Sequence, residues 1–155
     1  MQKLAILVTR LSSWVLSKMG RGGSMPGRLG IKIAPDCLNH LKFGGPVILV
    51  TGTNGKTSTA NMVSDLMEEA GYKVVTNRKG DNLRVGITST LLSHCSLSGR
   101  VKADAAVLEV DELNMKYIVP ALPVTAIIVN NFFRDQLDRA GEMERIIDTI
   151  ESVLP

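Results

Sequence analysis

The sequence predicts an α/β fold in which a parallel sheet is covered by helices on both faces. Three observations predict it. "PVILVTG", "DAAVLEV" and "VTAIIVN" are nearly unbroken apolar runs of strand length, which suits strands buried on both sides. Helical periods alternate with them, as in sheets built from strand–helix–strand units. At 155 residues and 45% hydrophobic, the chain can bury one proper core but not two.

The first element is a helix. Leu4, Leu7, Val8, Leu11, Val15 and Met19 fall at three- and four-residue steps, with Lys3, Arg10 and Lys18 mostly off that stripe. The simplest expectation is that the stripe packs on the protein's own core; a basic amphipathic helix lying on a membrane surface is the alternative. "GRGGSMPGRLG" is dense in glycine and carries a proline, so a loop or linker is expected there, and residues 1–45 read as a helix and a Gly-rich loop packed on the core. Pro46 opens the first strand, at a position where a missing N–H is tolerated. Lys56 to Ala70 has a helical period, with Ala60, Val63, Met67 and Ala70 on one face and Gly71 placed as a cap. "KVVT" then reads as a strand, "ITSTLLSH" as a helix, the two later apolar runs as strands, and "GEMERIIDTIESVL" as a closing helix.

Charge is unevenly placed. Residues 1–45 hold seven Lys and Arg against Asp36 alone, a net of +6, and since the whole chain is +3 the remainder is −3. A basic leading segment suits an anionic surface or ligand. Nucleic acid is the weakest of these readings, because there is no aromatic interleaving and no binding motif. Cys37 and Cys95 have neither metal spacing nor a disulfide framework, which fits a reducing compartment. The apolar run at the start is too short for a secretory core or a bilayer span, so the chain reads as cytoplasmic.

Gly52-Thr53-Asn54-Gly55-Lys56-Thr57 lies between a strand and a helix, the context a phosphate loop needs. Glycines there let backbone N–H groups, through Ser58 in the first turn, converge on phosphate oxygens beside the positive helix end. Lys56 would reach the β- and γ-phosphates and Thr57 would hold Mg²⁺. The fold expected is therefore P-loop NTPase-like, with a nucleotide as the ligand, although only two residues separate Gly52 from Gly55, fewer than in the common spacing. Glu109 ends a buried strand, where a carboxylate is costly unless it meets a cation. It is the candidate second Mg²⁺ ligand. Asp111 and Glu112, just after it, read more simply as a solvated helix start. In "TNRKGDNLRVG", Arg78 and Asn82 are candidates to meet substrate carboxylates or carbonyls, with a solvated basic loop as the alternative.

The shortened loop "GTNGKT" resembles the central domain of the ATP-dependent Mur ligases and of folylpolyglutamate synthase. In those enzymes a carboxylate is activated as an acyl phosphate and attacked by an amine. The resemblance lays the adenine-contacting asparagine on Asn131 and the Mur D-H-L-D segment on Asp135 to Asp138, with Gln136 in place of the histidine. "GGSMPGRLGIKIAPD", "TNRKGDNLRVGITSTLL", "EVDE" and "FRDQLDR-GE" together are similar to the ligase-like MurT subunits of lipid II isoglutaminyl synthase, from about Leu11 to Val153. That resemblance implies a GatD-like glutaminase partner supplying ammonia and amidation of the D-glutamate α-carboxylate of lipid II. It also implies work at the inner face of the membrane. Residues 46–155 would then be the amino-terminal part of the ATP-binding domain. The zinc ribbon, with its Zn²⁺, and the carboxyl-terminal domain of the full-length family would be absent from this apparently truncated chain, which alone would be inactive. Beyond the ATP site no catalytic residue is assignable. The alternatives are a Mur-type or folylpolyglutamate-type amino-acid ligase and, in a different class, a nucleotide-binding regulatory module.

Overall fold

A computed structural model describes residues 1–20, 23–77, 81–132 and 140–153. Its four strands are β1 (Val47–Thr51), β2 (Val74–Thr76), β3 (Ala105–Glu109) and β4 (Ala126–Val129). They form one sheet in the order β2-β3-β1-β4, with every neighbouring pair parallel. Val50 lies opposite Glu109 and Thr51 opposite Val129, so the carboxyl ends of the three strands from β3 to β4 are level. The helices are α1 (Gln2–Lys18), α2 (Met25–Ile33), α3 (Lys56–Glu69), α4 (Arg84–Ser93), α5 (Met115–Ile118) and α6 (Ala140–Glu151).

Side chains alternate between two cores, as the pleat requires. Val47, Leu49, Val75, Ala106 and Leu108 join one apolar cluster. Val50 and Val107, with Ile48, Val74 and Ile128, join the other. The smaller core is closed by α3 through Ala60, Val63 and Met67. The larger is closed by Ile87, Leu91 and Leu92 of α4, with contributions from α1, α5 and α6. Both faces of the sheet are therefore covered. The strand β4 departs from its uniformly apolar sequence: it is an edge strand, and Ala126 and Val129 are exposed. An apolar run alone does not tell an edge from a centre.

The second half of the glycine-rich segment, expected as a loop, is instead the helix α2 from Met25 on. Pro26 sits in its first turn, where the lost N–H has no helical partner anyway. Gly27 and Gly30 face the neighbouring helices: a Cβ on Gly27 would overlap the Val85 carbonyl oxygen of α4, and one on Gly30 would lie 2.6 Å from Thr9 Oγ1 of α1. The glycines make a slot, not a loop.

That slot inverts α1. Its buried residues are Ala5, Ile6 and Thr9, and the Thr9 hydroxyl donates to the Pro26 carbonyl at 3.2 Å. Thr9 fills the slot beside Gly30, where the longer leucine side chain would not fit. The stripe expected to pack inward is the outward face, with Leu4, Leu7, Leu11, Val15 and Met19 all exposed. No described helix is long and apolar enough to cross a membrane.

Candidate nucleotide site

The loop between β1 and α3 is turned by two glycines in left-handed backbone, Gly52 (φ +125°) and Gly55 (φ +79°). Gly52 also needs its bare Cα, because a Cβ would stand 2.9 Å from both the N and the O of Asn131. Two asparagines at the end of β4 hold the loop. The Thr53 N–H donates to the Asn131 carbonyl at 2.8 Å. The Asn131 amide both accepts from the Asn54 N–H at 3.1 Å and donates to the Asn54 carbonyl at 3.2 Å. Asn130 donates to that same carbonyl and to the Thr59 hydroxyl at 3.0 Å. A helix cannot satisfy its own first N–H groups, so those from Gly55 to Ser58 open α3 as an anion-binding end.

Lys56 folds back over this loop. Its ammonium donates to the Gly52 carbonyl and, at 3.3 Å, to the Thr53 carbonyl. It also lies 3.6 Å from Glu112 Oε1, with both side chains largely buried. Next to it, the Thr57 hydroxyl donates to Glu109 Oε2 at 2.8 Å. The other carboxylate oxygen of Glu109 accepts from the Asn82 amide at 3.0 Å. Asn77 extends the sheet by side chain: its amide donates to the Glu109 carbonyl at 2.8 Å and accepts the Glu109 N–H at 2.9 Å. Glu109 is thus fixed at both backbone and carboxylate, only 4% exposed. Glu112 is paired with the Lys56 ammonium, whereas the buried Glu109 carboxylate meets only the neutral Thr57 hydroxyl and Asn82 amide in the hydrogen bonds above, a setting that a cation would neutralise.

Residues 50–153 match the Mur ligase middle domain. The chain belongs to the Mur ligase family. It is 36% identical over 97% of its length to the MurT subunit of lipid II isoglutaminyl synthase (glutamine-hydrolyzing) from Streptococcus pneumoniae strain R6, covering 34% of that protein. Against the same subunit from Staphylococcus aureus strain COL it is 29% identical over 99% of its length, covering 35%. A UDP-N-acetylmuramoylalanine–D-glutamate ligase from Nitrobacter winogradskyi is 35% identical over 70% of this chain, which covers 21% of it. The chain therefore spans about a third of the length of its MurT relatives.

Within this Mur ligase domain, the structure brings together most of the residues singled out in the sequence. Gly52 to Ser58 form the loop and the first turn of α3; Thr57 and Glu109 touch; Asn131 abuts the loop. Asn131, expected to contact adenine, has its amide engaged by Asn54. Asn82, a candidate to meet substrate, donates to Glu109. Arg78 and the segment Asp135 to Asp138 lie outside the described residues. Glu112 does not sit in a solvated helix start: it is buried against Lys56. Sequence reasoning passed over Asn77 and Asn130. The doublet Asn130-Asn131 at a strand end was a usable signal for the second; the pairing of Asn77 with Glu109 spans 32 residues and has no local signature.

The donor set suits Mg²⁺. This ion takes hard oxygens, keeps several waters and binds through one or two protein groups plus substrate phosphates. Thr57 and Glu109 are such a pair, and no group of three or more His, Cys, Asp or Glu poised for a metal occurs among the described residues. Burial raises the thiol pKa of Cys37 and pushes that of Cys95 up to about 11, so neither is a poised nucleophile.

Proposed function

We propose that this chain is the nucleotide-binding part of an ATP-dependent carboxylate–amine ligase. Its reaction is amidation of the D-glutamate α-carboxylate of lipid II to D-isoglutamine through an acyl phosphate, at the inner face of the membrane, with ammonia from a GatD-like glutaminase subunit. The observation that carries the ligase reading is the 2.8 Å contact between Thr57 and Glu109 beside Lys56, at the carboxyl ends of β1 and β3. Ligands of open α/β sheets gather at such ends. Amidation is favoured over amino-acid addition by extent: the MurT relatives match 97–99% of the chain, the D-glutamate ligases 55–70%.

MgATP supplies the phosphoryl group and the divalent charge. Lys56, now on the carbonyls of Gly52 and Thr53, would hold phosphate oxygens, with Glu112 as its counter-ion. Thr57 and Glu109 would hold the metal; Asn77 fixes the Glu109 backbone and Asn82 keeps its carboxylate from turning away. The N–H groups of Gly55 to Ser58 are already aimed by the Asn130 and Asn131 clamp, so little reorganisation accompanies charge development. Asn131 would be the group nearest adenine on the resemblance, and its amide keeps a second N–H and a second lone pair beyond the two bonds it makes to Asn54. Arg78 remains the substrate-side candidate.

Calorimetric titration tests the first half: MgATP binds the chain, and Lys56→Ala weakens binding about a hundredfold. No binding by the unaltered chain would sink the nucleotide reading. Depleting the gene product in cells tests the second half, with mass spectrometry of the digested wall reading the second stem-peptide residue. Isoglutamine should give way to glutamate, restored by the intact gene but not by Lys56→Ala. Unchanged amidation would move the reading to the amino-acid ligases.

A further inference from the structure

We propose that the outward face of α1 binds an anionic lipid surface, a role that goes beyond the ligase reading and rests on none of the phosphate-loop geometry. The face carries a row of apolar side chains that ends beside Lys18. Leu4 and Leu7 are each 50% exposed, Leu11 64%, Trp14 60%, Val15 42% and Met19 60%. Single exposed leucines are ordinary on a protein surface, but a continuous row is not. The row persists because α1 packs through Ala5, Ile6 and Thr9 instead, so the stripe has no partner within the described residues.

Charge identifies the occupant. Lys3 and Arg10 lie three or four residues from Leu7, and Arg10 and Lys18 four residues from Trp14, so the cations border the apolar row. The Lys18 ammonium sits 6.0 Å from the centre of the Trp14 ring. α2 adds exposed Arg28 and Lys32. No acidic residue occurs before Asp36. Lysine and arginine stems can lie along an apolar layer while their heads reach phosphates, and tryptophan favours the same boundary. With 17 residues and three cations α1 lies on such a surface and does not cross it. A second copy of the chain fits poorly, because a self-complementary contact would set the Lys3, Arg10 and Lys18 groups of two molecules together with no acid between them.

Trp14 is the chain's one tryptophan, which makes it the reporter. Its emission should shift to the blue on mixing the chain with phosphatidylglycerol-containing vesicles at low salt. Vesicles of phosphatidylcholine alone should leave it unchanged, and added salt should reverse the shift. Lys3→Gln, Arg10→Gln and Lys18→Gln combined should weaken partitioning about a hundredfold. Leu7→Ser with Leu11→Ser should weaken it at least about tenfold. Both sets alter exposed positions, and an unchanged thermal transition verifies the fold. No shift with anionic vesicles, equal binding to neutral ones, or full binding by the triple variant overturns the proposal. So does a concentration-dependent dimer that shields Trp14, which would assign the face to self-association. Titrating MgATP on the same preparation separates this outcome from that of the ligase reading, since either binding event can fail alone.

Discussion

Two glycine-rich segments, Gly52 to Gly55 and Gly27 to Gly30, use the same residue for different reasons. In the phosphate loop the glycines matter for backbone freedom: both have positive φ, and the chain turns where an L side chain would be strained. In α2 the backbone at Gly27 and Gly30 is ordinary helix, and what matters is missing volume. α4 fills the space that a Cβ on Gly27 would need, with Ser89 N 2.8 Å from that position. Thr9 of α1 and Leu92 of α4 fill the space beside Gly30. One segment shapes a site; the other lets three helices approach closely enough to close the larger core. Glycine content alone does not separate these uses, and three glycine-to-alanine changes do.

The largest effect is expected at Gly27. An alanine there meets backbone, the Val85 carbonyl and the Ser89 N–H, which cannot rotate aside as a side chain can. Relief requires α2 to move off α4, so Gly27→Ala should cost about 3 kcal/mol, less a few tenths returned by helix propensity. The urea midpoint should fall with little change in slope, while MgATP affinity of the folded fraction is kept. An unchanged midpoint would mean that α2 packs loosely and that its glycines have another purpose.

Gly52→Ala should reverse that pattern. Its φ of +125° strains alanine, and the new Cβ would press on the Asn131 backbone that anchors the loop. The expected stability loss is about 2 kcal/mol, but the affinity for MgATP should fall by more than the stability does, because Thr53 and Asn54 lose register with Asn131. Titrations of the folded protein for both variants provide the check. If Gly27→Ala harmed nucleotide binding as much as Gly52→Ala, the two segments would not be functionally distinct.

What could be read from the sequence follows the same division between local and distant causes. The strand at Val47–Thr51, the turn at Gly52–Gly55 and the helix from Lys56 are set by neighbours in the chain, so motif and period located them. Glu109 was legible because a carboxylate ending an apolar run calls for a partner. Its holders, Asn77 and Asn82, were not, since they come from another loop of the fold. Glu112 read as solvated because the burying partner, Lys56, is 56 residues earlier. The α1 stripe was legible as a stripe but not as a direction. Periodicity reports which residues share a face, and only the slot made by Gly27 and Gly30 decides that Ala5 and Thr9 face inward.

Gly71 isolates backbone freedom from volume, and its substitution is the smallest effect of the three. It follows α3 with φ +90°, and nothing lies within 4 Å of the Cβ an alanine would add. Its N–H donates to the Glu68 carbonyl and the Tyr72 N–H to the Met67 carbonyl, each at 3.0 Å, the double closure that ends a helix in left-handed backbone. Gly71→Ala therefore costs only the conformational preference, about 1 kcal/mol, with the alanine's stiffer unfolded chain returning part of it. A small fall in the urea midpoint with full MgATP affinity is expected. A loss as large as that of Gly52→Ala would show that positive φ alone accounts for the phosphate loop's sensitivity, leaving no separate role for the close approach of Asn131.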